Sequence, residues 1–166
     1  MDAAFYLAAA VAIVATLLVV VLPSAVHALL YLVVSLLAVA VVFYVLGAPF
    51  AAALEVIVYA GAIMVLFIFV MMMLNLGQAA AAQERGWLAP TTWIGPAGLA
   101  VLLLAELVYV LAHTASDAGP ARVVEARAVG ALLFGPYLLG VELASFLLLA
   151  GLVGAYHLGW RDSRDG

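Results

Sequence analysis

Five long apolar runs, divided by short polar or turn-forming stretches, make up most of this chain. They fall at about residues 3–22, 26–46, 51–74, 92–112 and 133–157. An α-helix of about 20 apolar residues spans the hydrocarbon layer of a bilayer, which is about 30 Å thick. Pro23 ends the first run, and Gly47-Ala48-Pro49 forms a short turn between the second and the third. The pattern predicts an all-α membrane protein with five transmembrane helices, and we expect residues 1–166 to form a single membrane-embedded domain.

The composition supports a membrane protein and argues against several functional classes. Hydrophobic residues make up 70% of the chain and charged residues 8%, against about 25% charged residues in soluble domains. The lack of cysteine and the wide spacing of His27, His113 and His157 argue against a metal site. A net charge of −4 without any lysine leaves no basic surface for nucleic acid. We therefore expect no catalytic residue, no bound cofactor or metal and no nucleic-acid partner, with the lipid bilayer around the chain.

The arginines outside the apolar runs give a small preference for one orientation. Five spans place the two termini on opposite sides of the membrane. With the amino terminus outside, the inner side carries Arg85, Arg161 and Arg164, and the outer side carries Arg122 and Arg127. Positively charged residues in short loops favour the inner side. This excess of one arginine predicts an amino terminus outside and a carboxyl terminus inside.

The third run carries the polar residues on which the functional interpretation depends. From residue 55 to residue 75 it reads EVIVYAGAIMVLFIFVMMMLN. Glu55 and Tyr59 lie four residues apart and therefore share one face of a helix. An acid within a span is a functional hypothesis by default, and a phenol can both donate and accept a hydrogen bond in a water wire. An acid at headgroup level and a packed aromatic ring would explain the same residues without such a role.

A patch of small residues follows the tyrosine and consists of Ala60, Gly61 and Ala62. Small residues in membrane helices usually allow close packing of a neighbouring helix. Gly61 also lowers helix propensity, and a weakened hydrogen-bond ladder can hold a π-bulge, a form often found at functional sites. The sequence leaves both interpretations open.

Two further acids, Glu106 and Glu142, fall deeper within their spans. Each lies about 5–6 Å from the midpoint of its run by the rise per residue of a helix. Acids at this depth are expected to have partners inside the protein, for proton transfer or for a structural hydrogen bond. They also motivate an alternative function, a small stand-alone proton or cation transporter.

Several motifs resemble one family, the J subunit of bacterial NADH-quinone oxidoreductase (respiratory complex I), the counterpart of mitochondrial subunit 6. The segment EVIVYAGAIMVLFIFVMMMLNLG resembles the third-helix signature of that family. The resemblance extends to VHALLYLVVSLLA in the second run, to QERGWL and WIGP around the fourth, and to AVGALLFGPYLLGVELASFLLLAGLVGAYH at the end. It therefore covers most of the chain.

The resemblance implies a non-catalytic subunit of a proton-translocating NADH:quinone oxidoreductase in the bacterial inner (plasma) membrane. Such a subunit belongs to the membrane arm of this respiratory-chain translocase, with the K, A, H and N subunits as its main partners. The FMN, the iron–sulfur clusters and the quinone would be held by other subunits. The amino terminus would lie outside, in agreement with the arginines.

The resemblance also implies a mechanism centred on the third helix. In the family, a π-bulge in this helix relaxes to regular α-helix and gates a hydrated path between quinone chemistry and the proton-pumping subunits. Tyr59, Gly61 and the segment from Ala60 through Ala62 to Val65 match those positions, with Glu55 at the start of the signature. Glu142 matches the ELAS stretch of the family, whereas Glu106 has no counterpart in its pattern. A purely structural membrane-arm subunit is the remaining alternative.

Overall fold

The computed structural model describes residues 2–74, 90–114 and 123–162, and in these ranges the chain forms helices and short connections without any strand. Two compact units are present, Met1–Val124 and Glu125–Gly166. The helices of the first unit are α1 (Asp2–Val21), α2 (Ala25–Val45), α3 (residues 49–74) and α4 (Pro90–Thr114). Those of the second unit are α5 (Ala126–Leu133) and α6 (Leu138–Asp162).

Five of these helices are long and apolar enough to cross a membrane. They contain the segments Ala3–Val21, Ala25–Val45, Pro49–Met71, Trp93–His113 and Leu138–Gly159. The prediction of an all-α membrane protein with five spans is therefore confirmed. The polar residues that follow α3 in the sequence, including Arg85, lie outside the described residues, as do Arg122 and Arg164 from the orientation argument.

The core of the first unit lies where α1, α2 and α4 meet. It consists of small and branched side chains, Val11 and Ala15 from α1, Val34 and Ala38 from α2, and Leu103 from α4. Small residues at such positions let helix backbones approach closely, which is how helices associate in lipid.

One hydroxyl pair links α1 to α2 beside this core. The Thr16 hydroxyl donates to the carbonyl of Ala12 at 2.8 Å and lies 2.7 Å from the hydroxyl of Ser35. Ser35 is buried, so its polar atom needs a partner within the protein. The pair provides the Ser35 hydroxyl with a partner and joins α1 to α2.

The turn between α2 and α3 depends on Gly47. This residue has a φ of 82°, in the left-handed region where glycine carries no steric penalty. The amide of Gly47 donates to Tyr44 at 3.0 Å and that of Ala48 to Phe43 at 2.9 Å, which is the Schellman arrangement that ends a helix. Pro49 then occupies the first turn of α3.

Replacing Gly47 with alanine is expected to destabilise the chain by about 1–2 kcal/mol, because a Cβ in the left-handed conformation crowds the following carbonyl. Thermal inactivation of the assembled protein in mild detergent measures this loss. Gly98→Ala is the matched control, since a Cβ at Gly98 meets no atom within 4 Å. Equal thermal stability of the two variants would contradict the role of Gly47.

The second unit contains a turn before its long helix. The amide of Phe134 donates to Gly130 at 3.0 Å, and that of Tyr137 donates to Leu132 at 3.1 Å. Pro136 lacks an amide hydrogen and lies within this turn, after which α6 begins at Leu138. The last membrane-spanning helix therefore starts later than the predicted position near residue 133, and α5 is a separate short helix.

Candidate functional site in the third helix

The third helix changes its hydrogen-bond ladder along its length. Residues Pro49–Leu54 are α-helical, Glu55–Ile63 are π-helical, and Met64–Leu74 return to α-helix. At the upstream boundary the Glu55 amide donates to the carbonyl of Ala51, four residues earlier. At the downstream boundary the Met64 amide donates to the carbonyl of Tyr59, five residues earlier. This π-helical segment is consistent with the π-bulge that the family resemblance implies, and it lies at Tyr59 and Gly61.

Gly61 fits the backbone geometry of this segment. A Cβ placed on Gly61 would lie 3.1 Å from the carbonyl oxygen of Val56, closer than a carbon atom normally comes to that oxygen. Because Val56 precedes Gly61 by five residues, the crowding comes from the wider π turn. Glycine therefore avoids a tight approach in the form seen here, and a larger residue would require the Val56 carbonyl to shift by a few tenths of an ångström.

The π-helical segment presents its side chains mainly to the surface of this chain. Tyr59 is 51% exposed, Glu55 and Ala60 are partly buried, and none of residues 55–63 is fully buried. Among the described residues, neither the phenol of Tyr59 nor the carboxylate of Glu55 has a hydrogen-bond partner. Both polar groups are therefore available to water or to another protein chain.

The residues after the tyrosine divide between exposed and buried positions. Gly61 is partly buried, and Ala62 and Val65 are exposed, Val65 by 63% of its surface. Met64, at the end of the π-helical segment, is only 1% exposed. This buried methionine anchors the point at which the helix returns to α geometry, while its neighbours remain accessible.

An apolar cavity of about 600 Å³ lies beside the start of the π-helical segment. Its walls come from α2, α3 and α4, and include Tyr44, Ala52, Val56 and Leu107. The apolar pattern does not predict this cavity, because its existence depends on how three helices pack. It leaves the backbone around Val56 without close packing on that side.

The three acids within the spans lie in different surroundings. Glu55 belongs to the π-helical segment itself, and Glu106 lies on α4 inside the first unit, where it is 6% exposed. Glu142 lies on α6 in the second unit and is exposed there. Of the predicted site residues, six therefore share α3, namely Glu55, Tyr59, Ala60, Gly61, Ala62 and Val65.

The described residues contain no group of three or more histidine, cysteine, aspartate or glutamate side chains that could hold a metal ion. What they contain is five helices able to span a membrane, and the third has a π-helical segment that carries a phenol and a carboxylate. These features define a multi-pass α-helical membrane protein with its candidate site on the third helix.

The chain belongs to the family described as NADH-ubiquinone/plastoquinone oxidoreductase chain 6, whose sequence profile matches residues 3–158. It is 62% identical over 166 residues to NADH-quinone oxidoreductase subunit J of Pseudomonas aeruginosa, covering 99% of this chain and all of that protein. It is 56% identical over 166 residues to the subunit J of Escherichia coli strain K12, covering the whole chain and 90% of the relative. The predicted family is therefore confirmed.

The chain is also similar to a more distant subunit J. The subunit J of Rhodobacter capsulatus is 39% identical over 171 residues, covering 98% of this chain and 83% of that protein. The five apolar helices and these bacterial relatives together identify a multi-pass protein of the bacterial inner membrane.

Proposed function

We propose that this chain is a membrane-arm subunit of a proton-translocating NADH:quinone oxidoreductase that couples quinone reduction to proton transfer through a switch in its third helix. The proposal rests on one observation above the others: the backbone of Glu55–Ile63 is π-helical around Tyr59 and Gly61. The membership of the chain in a family of this oxidoreductase supports the assembly in which the switch operates.

The switch is a change of hydrogen-bond register between two helix forms. In the π form each amide reaches five residues back, and in the α form it reaches four residues back. The α form therefore uses one residue fewer in the turn, which rotates one side of the helix by about 100° relative to the other. The surroundings of Tyr59 and Glu55 differ between the two forms. Two forms within a few kcal/mol of each other respond to the state of a neighbouring subunit.

The packing of α3 supports such a movement. Close-packed interiors resist small displacements, but the apolar cavity leaves Val56, near the start of the π-helical segment, without close packing on one side. The buried Met64 limits the change to the segment before it. A rearrangement within Glu55–Ile63 can therefore occur without separating α3 from the rest of the first unit.

The proposed path for protons uses groups that this chain does not bury fully. Tyr59 is exposed and Glu55 is partly buried, and neither the phenol nor the carboxylate has a protein partner among the described residues. In the assembled complex, waters and side chains of neighbouring subunits, the K, A, H and N subunits above all, would complete the path. Glu142 on α6 would contribute a further carboxylate to an interface with such a partner.

In this role the chain performs no redox step and holds no redox centre. FMN, iron–sulfur clusters and quinone would be bound by other subunits, and this chain would move or hold protons at the Tyr59 hydroxyl and the Glu55 carboxylate.

The amino terminus would lie outside. The hydrogen bond from the Val124 amide to the Gly47 carbonyl, at 2.8 Å, supports the alternation of spans in that topology, because it joins segments that follow α2 and α4.

A purely structural subunit would tolerate the loss of one hydroxyl group, so Tyr59→Phe tests the proposal. We expect proton translocation to fall about tenfold at an unchanged amount of assembled complex, the effect of losing one hydrogen bond of about 1.4 kcal/mol in the rate-limiting transfer. Proton uptake driven by NADH in inverted membrane vesicles measures this. Tyr109→Phe on an exposed face of α4 is the control. Full coupled turnover in the Tyr59 variant would show that the subunit only fills space.

A further inference from the structure

The most unusual polar group in the first unit is the carboxyl group of Glu106 on α4. Its side chain is 6% exposed, and both carboxyl oxygens are buried without a hydrogen-bond partner in the described part of the chain. A buried carboxylate without a partner is far too costly to persist. The group must therefore gain a partner or lose its charge, and the residues around it decide which.

The buried face of α1, one of the two helices that pack against α4, offers no charged or polar side chain to Glu106. Glu106 lies on the same buried stripe of α4 as Leu103, and the buried stripe of α1 consists of Ala8, Val11 and Ala15. Ala8 is fully buried, and its backbone amide lies beside the carboxyl group without reaching hydrogen-bond geometry. No basic group among these residues can balance a negative charge.

The backbone of α1 can accept a hydrogen bond but cannot readily donate one. Every amide within a helix already donates to a carbonyl one turn earlier, whereas each carbonyl oxygen keeps a second lone pair. An ionised carboxylate only accepts, so it finds no free donor on α1. A protonated carboxyl group carries an O–H that donates to such a carbonyl. Ala8 is fully buried and has only a methyl side chain, so it adds little bulk between the carboxyl group and the α1 backbone.

We propose that Glu106 is a buried proton-binding site, in which a protonated carboxyl group donates a hydrogen bond to a backbone carbonyl of α1 next to Ala8, directly or through one water molecule. This site lies between α1 and α4 and uses none of the residues of the π-helical segment. Its ligand is a proton, held by one carboxyl oxygen and shared with α1. The bond ties two helices of the core together for as long as the proton is present.

Infrared spectroscopy of the assembled complex distinguishes a protonated carboxyl group from a carboxylate. The difference between wild type and Glu106→Gln should show the loss of one carbonyl stretch of a protonated acid. Glu125→Gln is the matched control, because Glu125 is exposed outside the spans, and it should remove a carboxylate band instead. A carboxylate band lost in Glu106→Gln would overturn the proposal.

A second variant tests the contact with α1 and leaves the acid in place. Ala8→Val places two extra carbons between the carboxyl group and the α1 backbone, so the acid carbonyl stretch should move to a higher frequency as its hydrogen bond weakens. Ala10→Val, on the exposed side of the same helix, should leave the band unchanged. A band that Ala8→Val does not move would rule out α1 as the acceptor. Both readouts are independent of turnover, so they remain informative even if the switch in α3 does not exist.

Discussion

Membranes that contain Gly61→Val are expected to assemble the oxidoreductase but to translocate several-fold fewer protons for each NADH oxidised. The Cβ of valine would lie 3.1 Å from the Val56 carbonyl in the π form, and its two further methyl groups add to this crowding. Regular α-helix accommodates a Cβ at every position, so the substitution shifts the balance toward the α form. A shift of about 1–2 kcal/mol changes the ratio of the two forms by roughly 5- to 30-fold.

Measuring assembly, NADH oxidation and proton uptake together separates a coupling defect from a folding defect. The amount of assembled complex and the rate of NADH oxidation with an artificial electron acceptor should stay near wild type, while proton uptake in inverted vesicles falls. Gly98→Val is the control for adding the same side chain to a helix, because a Cβ at Gly98 meets no atom within 4 Å. Normal proton translocation in the Gly61 variant would remove this residue from the mechanism.

The five spans could be predicted because the bilayer sets their length and composition. A run of about 20 apolar residues has few other uses, so the segments at Ala3–Val21 and Ala25–Val45 follow directly from the pattern. The start of the last span could not be placed in the same way. Pro136 is compatible with the first turn of a helix and with a turn before it, and the hydrogen bonds of residues 130–138 decide for the turn.

The π-helical segment, unlike the five spans, could not be predicted from the hydrophobic pattern. Hydrophobic patterning cannot separate an α ladder from a π ladder over nine residues, because side chains of the same type satisfy both. Gly61 indicated only that the ladder was weak at that point, and the expectation of a π-bulge came from the resemblance to the family. The structure adds a physical feature that favours glycine there, the close approach of a Cβ on residue 61 to the Val56 carbonyl.

The acids show why depth along a helix does not determine environment. Glu106 and Glu142 lie at about the same distance from the midpoints of their runs, yet Glu106 is buried in the first unit and Glu142 is exposed in the second. Burial depends on which face of a helix meets a neighbour, and in lipid both faces are apolar. Sequence alone therefore could not distinguish the two acids.

Adding a side chain at Gly95 is expected to impair assembly of the complex, because α4 passes over Tyr31 of α2 at this point. A Cβ on Gly95 would occupy the space of the Tyr31 hydroxyl, and the ring of Tyr31 packs against the core of α1, α2 and α4. The ring therefore cannot move away freely. Overpacking of this kind costs about 1–3 kcal/mol. Gly95→Ala should lower the amount of assembled complex in membranes several-fold.

The hydroxyl group of Tyr31 gives this prediction its internal control. Tyr31→Phe removes the atom that a Cβ on Gly95 would contact most closely, and leaves the ring carbon Cζ at 3.2 Å. The double variant Gly95→Ala with Tyr31→Phe should therefore recover most of the assembly that Gly95→Ala loses, although Tyr31→Phe alone has little effect. Residues in direct contact are expected to show such coupling in a double-mutant cycle, whereas independent sites give additive losses. Additive losses would mean that α4 does not approach α2 through Gly95 in the assembled complex.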